Sequence, residues 1–298
     1  MADLAVKPDR SSWAFDEGAP IAHGRTVLKP IGGGSRYEAL LVWDERLFSI
    51  MVAKVLRPDQ VDDEHALREL RREAEALERL AHPVIVRGFD AVLDGHHPHL
   101  LIEHLEGPTL RRVIKKGGPL PLQQVLPLAL HVAAALHYMA CEGMVHLDVK
   151  PDNIVMGVPP RLIDLSIATD LERAERLRGP IGTDSYMAPE QCGEGGRIGT
   201  ASDVFGLGAT LFHALTGRKP FPREPHARDS DDPAVRFPQL SGDPLRLAGR
   251  LPAPLTRLVE RMLARDPADR PVAADVATEL EPLVAELPRR LRFGRRRA

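Results

Sequence analysis

Apolar and polar residues alternate along the first third of the chain, whereas apolar residues recur at helical spacing over most of the remainder. Residues 23–56 contain the short runs "IGGGSRYEALLVW" and "FSIMVAKVL", a pattern typical of strands joined by turns. Asp62 and Asp63 suit the first turn of a following helix. Apolar residues then recur at helical spacing: Ala66, Leu67, Leu70, Ala74, Leu77 and Ala81. Residues 82–107 predict two further strands joined by a His-rich turn.

The second part of the chain is predicted to be mainly helical. The run "LPLALHVAAALHYMACEGMV" predicts a buried helix that ends at Gly143, and the helical pattern resumes at Ser202. Residues 1–22 show no periodicity and predict a flexible N-terminal leader. A strand-rich region followed by a helical one indicates an α+β protein of two lobes, residues 23–103 and 104–285, with a basic tail over 286–298.

Composition narrows the classes of function. A net charge of −2 and a pI near 6.6 argue against a general nucleic-acid binder, so no nucleic-acid partner is expected. Two distant cysteines, Cys141 and Cys192, favour a reducing interior over a disulfide framework. No apolar run approaches the length that spans a bilayer, and no signal peptide is evident. A cytoplasmic location is therefore expected.

The segment "HLDVKPDNIVM" at 146–156 carries the strongest chemical signal. Phosphoryl transfer requires an Asp that accepts the proton of the attacking hydroxyl and a nearby amide oxygen that holds a metal ion. Asp148 and Asn153 lie five residues apart, and the Lys150 ammonium between them suits the moving phosphoryl group. The alternative is a solvated turn, because Asp, Asn and Pro favour turns.

With these residues, the chain resembles bacterial members of the eukaryotic-like (Hanks-type) serine/threonine protein kinases over residues 25–283. The resemblance implies a bilobal protein-kinase fold with a β-rich N-lobe and a mainly helical C-lobe. It also implies transfer of the ATP γ-phosphoryl group to Ser or Thr of protein substrates, with Mg²⁺, or Mn²⁺ in its place, as the metal.

The resemblance assigns the chemistry of the C-lobe to five residues. Asp148 is the catalytic base, and Lys150 and Thr183, the latter within "GTDSYMAPE", assist it. Asn153 and Asp164 are the metal ligands, the latter in "IDLS" at the position of the family's Asp-Phe-Gly motif.

The resemblance also implies a nucleotide site. Lys54 binds the ATP phosphates and pairs with Glu73, with Glu69 as the alternative partner. Gly32 and Gly34 match a G-x-G-x-x-G loop whose third position is Tyr37. Around the adenine base, the resemblance implies apolar walls formed by Ala39, Ala53 and Val155. It also implies contacts to the same base from the backbone of Glu103 and Leu105.

Three further residues are expected to have structural roles. Asp203 in "SDVFGLG" is expected to hold the backbone of the catalytic loop, and Glu190 is expected to pair with Arg270 of "RDPADRP". Lys150, the Ala-Pro-Glu segment and the Asp-Arg-Pro close argue against a small-molecule phosphotransferase of the antibiotic-kinase type. Departures at Leu147, Tyr37 and Ser166 invite a second alternative, a pseudokinase scaffold.

Control of activity is expected to be unusual. Leu147 stands where many kinases carry the Arg that binds a phosphorylated activation loop, and residues 170–181, "DLERAERLRGPI", contain no hydroxyl group. Activity is therefore predicted not to depend on phosphorylation of this loop, with helix-spaced charge pairs ordering it instead.

The C-terminal tail carries six Arg within 289–298 and predicts either a disordered basic end or weak contact with an anionic membrane surface. No oligomeric state is predicted.

Overall fold

The chain divides into two compact units. The computed structural model describes residues 11–193, 196–224, 227, 230–247 and 251–288. The described residues through Ala81, together with Val86–Glu106, form the first unit. The second unit contains His82–Ile85 and the described residues from Gly107 onward.

The first unit is a six-stranded antiparallel sheet with one long helix. The sheet order is β1-β2-β3-β4-β6-β5. Its strands are β1 Pro20–Ala22, β2 Arg25–Gly33, β3 Tyr37–Asp44, β4 Ser49–Leu56, β5 Gly88–Val92 and β6 His99–Glu103. Helix α1, Glu64–Arg79, begins where the Asp63 carboxylate accepts the N–H of His65 at 2.8 Å. The predicted strands and helix of this region are therefore confirmed.

The N-terminal segment differs from its prediction. Trp13 and Phe15 pack against the apolar cluster of the sheet, and the indole Nε1–H of Trp13 donates to the Leu56 carbonyl at 2.7 Å. Residues 20–22 form β1, so the prediction of a flexible leader is corrected for this part of the chain. The physical reason is burial of two large aromatic side chains, which outweighs the absence of periodicity. Residues 1–10 lie outside the described residues.

The second unit is mainly helical. Its helices are α2 Leu110–Gly117, α3 Leu122–Cys141, α4 Leu171–Ala174, α5 Thr200–Thr216, α6 Pro233–Arg236, α7 Ala253–Met262 and α8 Ala273–Ala285. Two short antiparallel strand pairs are also present: β7 Met144–Val145 with β10 Thr169–Asp170, and β8 Ile154–Val155 with β9 Arg161–Leu162. The predicted helices ending near Gly143 and beginning near Ser202 are confirmed as α3 and α5.

Helix α3 corrects one statement made from the sequence. By length and composition it is apolar enough to span a bilayer, contrary to the expectation that no such run exists. Half of the most apolar 18-residue stretch of this helix is buried inside the protein. Helix α3 packs against α5 and α8. Helix α3 is therefore a core helix of the second unit. The basic residues of the tail, 289–298, lie outside the described residues.

A largely buried polar network joins four strands of the first unit, β2, β3, β5 and β6. The Arg25 guanidinium donates to Asp44 Oδ2 at 2.9 Å, to Asp90, and to His99 Nε2 at 3.0 Å. Because Arg25 can only donate, His99 Nε2 accepts, and His99 Nδ1–H donates to the His97 carbonyl at 2.7 Å. Burial, together with the neighbouring Arg25 charge, lowers the pKa of the fully buried His99. The network therefore requires a neutral His99.

This network predicts acid destabilisation. The pKa of His99 is lower in the folded state than the unfolded value near 6.5, so the unfolded state binds more protons as the pH falls below that value. The free energy of unfolding should decrease on acidification from pH 7 to pH 5, by at most about 1.4 kcal/mol per pH unit from this residue. Urea unfolding at several pH values measures it. His99→Gln should flatten the dependence and His23→Gln, at an exposed position, should not; an unchanged slope in His99→Gln would contradict the assignment.

Candidate active site

A buried carboxylate fixes the backbone of the loop between β7 and β8. Asp203 on α5 accepts the N–H of His146 at 2.8 Å and the N–H of Leu147 at 2.7 Å, as predicted from its position in "SDVFGLG". Burial raises the pKa of Asp203, and the two N–H donors oppose that rise. Leu147 adopts φ +66°, which a bulky residue rarely does, so this conformation depends on the surrounding bonds.

The carbonyl of Leu147 is also fixed by a hydrogen bond. Gln191 Nε2–H donates to the Leu147 carbonyl at 2.9 Å and to the Ile181 carbonyl at 3.0 Å. Gly182 passes so close that a Cβ there would lie 2.8 Å from the Leu147 oxygen, and its φ is +114°. Only glycine fits this approach without displacing the loop. Residues 181–182 and 146–147 are thereby fixed together.

Four predicted catalytic or metal-binding residues meet at the next position of the loop. The Asp148 carboxylate accepts from Lys150 Nζ at 2.5 Å, from the Thr183 hydroxyl at 2.7 Å and from Asn153 Nδ2 at 3.1 Å. Lys150 Nζ also donates to Thr183 Oγ1 at 2.7 Å. The carboxylate is therefore oriented by three donors, and a positive charge is held beside it.

The two predicted metal ligands are brought together by a strand pair. Ile154 pairs with Leu162 in the β8–β9 ladder, and the Ile163 N–H donates to the Asn153 carbonyl at 2.8 Å. The next residue, Asp164, has φ +65°, a second unusual backbone conformation beside the loop. The side chains of Asn153 and Asp164 supply oxygen donors, which suit Mg²⁺. Within the described residues no group of three or more His, Cys, Asp or Glu forms a metal site, and Mg²⁺ needs only one or two such ligands besides phosphate.

In the first unit, Lys54 pairs with Glu73. Lys54 Nζ donates to both Glu73 carboxylate oxygens, at 2.8 and 2.7 Å, and Glu73 lies buried on α1. The predicted partner Glu73 is therefore confirmed, and the alternative, Glu69, instead accepts from Arg36. Burial of this pair away from water makes each side chain depend on the other.

Strand alternation corrects the assignment of Ala53. Lys54 lies opposite Ala39 in the β3–β4 ladder, so these two side chains share a face of the sheet. Ala53 faces the other way and is fully buried in the apolar cluster with Val42 and Val55. It cannot act as an apolar wall beside Ala39. Val52, two residues before Lys54, shares the Lys54 face, and counting in steps of two could have identified it.

The remaining predicted nucleotide contacts are divided between the units. Gly32 lies near the end of β2 and Gly34 in the turn that follows, where the Gly34 N–H donates to the Tyr37 carbonyl at 2.9 Å. Glu103 ends β6, and its N–H donates to the Arg87 carbonyl at 3.0 Å. Leu105 follows it in the first unit, and Val155 lies on β8 of the second.

An apolar cluster orders the segment that follows Asp164. Leu147 is buried with Val145, Ala174 and Ile198, and four partly buried residues pack against them: Ile167, Leu171, Leu177 and Ile181. The charge pairs expected there are weaker supports. Glu172 and Arg176 form the helix-spaced pair at 3.6 Å, but both side chains are at least 79% exposed, so the pair adds little stability.

A buried ion pair closes the second unit. Arg270 donates to the two Glu190 oxygens at 2.7 and 2.9 Å, and the Ser202 hydroxyl donates to Glu190 at 2.6 Å. The Arg270 guanidinium also lies 5.0 Å from the Phe205 ring centroid. The predicted partnership of Glu190 with Arg270 is confirmed.

Comparison with known proteins agrees with this geometry. Residues 25–280 match the family model described as the protein kinase domain. The chain is 31% identical to the serine/threonine-protein kinase PknB of Mycobacterium leprae, over 84% of this chain and 41% of that protein. It is 35% identical to the serine/threonine-protein kinase PkaA of Streptomyces coelicolor, over 78% of this chain and 42% of that protein. The chain therefore spans about two fifths of the length of these relatives.

The Glu190–Arg270 pair predicts a large effect on stability. Arg270→Leu should lower the free energy of unfolding by roughly 3–5 kcal/mol, because it leaves the Glu190 carboxylate buried without its partner. Urea unfolding measures the loss. The matched control is Arg261→Leu, which breaks a half-exposed Arg–Glu pair with Glu279 and should cost less than about 1 kcal/mol. Equal losses in the two variants would show that burial does not set the value of the pair.

Proposed function

The chain belongs to the protein kinase domain family, among its bacterial serine/threonine members, and from this membership we propose that it transfers the ATP γ-phosphoryl group to Ser and Thr hydroxyls of proteins. One observation carries the proposal. Asp148, Lys150, Thr183 and Asn153 form a single hydrogen-bonded cluster around one carboxylate. That cluster provides a proton acceptor and a cation side by side, as transfer to a hydroxyl requires.

The reaction assigns a role to each member. The hydroxyl oxygen of the substrate attacks the γ-phosphorus while its proton passes to the Asp148 carboxylate. The bond between the γ-phosphorus and the bridging oxygen breaks, and the electron pair leaves with ADP. Lys150, beside Asp148, offsets negative charge on the phosphoryl group. Thr183 orients Asp148 through its hydroxyl. A threonine at this position matches the pattern of kinases that phosphorylate Ser or Thr, so these residues are the proposed acceptors.

We assign the nucleotide contacts residue by residue. Lys54, held by Glu73, binds the α- and β-phosphates as a point charge. Asn153 and Asp164 would hold Mg²⁺, with Mn²⁺ as the alternative, which neutralises phosphate charge when bound. Ala39 and Val155 contact the base in this proposal, with Val52 replacing Ala53.

Two other functions account less well for the chain. A scaffold without transfer activity would not require a carboxylate oriented by three donors, nor a buried Lys54–Glu73 pair. A small-molecule phosphotransferase would not require the Glu190–Arg270 pair that supports residues 181–191. Protein substrates are therefore the preferred acceptors.

Asp148→Asn tests the proposal directly. The variant should lose activity by roughly 10²- to 10⁴-fold, because the amide cannot accept the hydroxyl proton. The measurement is transfer of labelled phosphate from ATP with Mg²⁺ to an unbiased peptide library, followed by phosphoamino-acid analysis. Phosphoserine and phosphothreonine are expected. Unfolding of the variant serves as the control, since Asp148 is not part of the core; undiminished transfer, or mainly phosphotyrosine, would contradict the proposal.

We propose further that activity does not depend on phosphorylation of the activation segment. Leu147 replaces the cation that would bind a phosphate, and it lies in the apolar cluster with Ala174 and Ile198. Apolar burial of this kind holds the segment without any modification. The hydroxyl of Thr183 is already bonded to Asp148, which makes it a poor phosphate acceptor.

A comparison of two enzyme preparations tests this second proposal. One is treated exhaustively with phosphatase and the other is pre-incubated with ATP, and initial rates are measured on the same peptide. Equal rates are expected. A large loss on dephosphorylation, restored by autophosphorylation at Thr169, Thr183 or Ser185, would identify the segment as a phosphorylation switch.

The setting of the domain completes the proposal. We propose a cytoplasmic domain that acts on protein substrates, with the basic residues 289–298 in weak contact with anionic lipid. Each basic residue near such a surface contributes about 1 kcal/mol at most, so the contact should be salt-sensitive.

A further inference from the structure

Tyr37 occupies the position at which the phosphate loop pattern has its third glycine. It begins β3 and lies opposite Leu56 of β4, two residues from the Ala39–Lys54 pair. Because side chains two residues apart share a face, Tyr37 and Lys54 lie on the same side of the sheet as diagonal neighbours. The Lys54 ammonium lies over the Tyr37 ring, 4.6 Å from its centroid.

This geometry is that of a cation–π contact. The face of an aromatic ring carries partial negative charge and attracts an ammonium within about 6 Å. The Lys54 side chain is 16% exposed, so little water screens the attraction. Glu73 binds the same ammonium through two oxygens, and the ring covers a further side of it. Lys54 is thus positioned by a carboxylate and by an aromatic face.

The hydroxyl of Tyr37 does not explain why the residue is there. Tyr37 is 9% exposed, and within the described part of the chain its hydroxyl has no hydrogen-bond partner. Burial raises the pKa of Tyr37, so the phenol stays neutral. A buried hydroxyl without a partner costs stability. The hydroxyl is therefore unfavourable to stability, and a role of Tyr37 must lie in its ring.

We propose that Tyr37 is a positioning residue for nucleotide binding, whose ring holds the Lys54 ammonium on Glu73 in the orientation that the ATP phosphates require. A glycine at this position would leave that side of the ammonium to water and to a more mobile loop. The inference rests on the proposed function, because it concerns the lysine assigned to the phosphates.

A double-mutant cycle on nucleotide affinity tests the inference. The full chain and its variants are titrated with Mg²⁺-ADP by calorimetry, which requires no phosphoryl transfer. Tyr37→Leu keeps an apolar side chain but lacks the π face, and it should weaken binding roughly threefold to tenfold. In a Lys54→Met background the same change should have no further effect, because Tyr37 acts through the ammonium. Equal losses in both backgrounds would overturn the inference.

Isosteric substitutions separate the ring's charge from its shape. Tyr37→Phe should keep the wild-type affinity and raise the melting temperature, since it removes the unpartnered hydroxyl. Replacing that Phe with mono-, di- and trifluorophenylalanine weakens the negative ring face with little change in size, so affinity should fall stepwise. Loss of affinity in Tyr37→Phe, or indifference to fluorination, would overturn the inference.

The same titrations distinguish this inference from the proposed function. If Lys54→Met binds Mg²⁺-ADP as tightly as the wild type, the assignment of Lys54 to the phosphates fails, and the role of Tyr37 fails with it. If Lys54→Met binds weakly but shows no coupling with Tyr37→Leu, only the positioning role is overturned.

Discussion

The Asp203 carboxylate, buried in α5, is the interaction on which the rest of the second unit depends. It accepts two consecutive N–H groups and so holds Leu147 at a positive φ that a leucine would not otherwise adopt. That conformation directs the next residue, Asp148, toward Lys150, Asn153 and Thr183. A strained backbone persists only where its surroundings overdetermine it. Here Gln191 supplies the opposing bond, and the missing side chain of Gly182 supplies the space.

Burial decides which charges matter in this protein. Two ion pairs are buried, Lys54 with Glu73 and Arg270 with Glu190, and each makes two hydrogen bonds. Loss of either member of such a pair would leave a buried charge without its partner and lower the stability of the fold. The charge pairs on the segment after Asp164 are exposed and contribute little. Apolar packing around Leu147 orders that segment instead. One leucine thus both removes a phosphate-binding cation and supplies the packing that replaces it.

Motif spacing was sufficient for much of the architecture and for the pairs between motifs. The two-part plan follows from the change from strand to helical periodicity. The Glu190–Arg270 pair and the role of Asp203 follow from the family resemblance. The family resemblance favoured Glu73 over Glu69 as the partner of Lys54. Both lie one turn apart on the same helix, and the fold adds that Arg36 pairs with Glu69. The packing of Trp13 and Phe15 against the sheet was not predicted, because two aromatic residues in an irregular segment produce no periodic pattern. Ala53 was misassigned by similarity alone, although strand alternation contradicts it. The contact of Tyr37 with Lys54 depends on the register of β3 on β4, which no local pattern encodes.

The packing of Trp13 against the sheet has a consequence for how unfolding is observed. The chain has two tryptophans, Trp13 and Trp43, and both belong to the first unit. Selectively excited tryptophan fluorescence therefore reports on that unit alone, whereas far-ultraviolet circular dichroism is dominated by the helices of the second. The two optical signals form a pair of reporters native to the protein, one for each unit. Where their transitions coincide, the two units unfold as one cooperative system; where they separate, the first unit has a stability of its own.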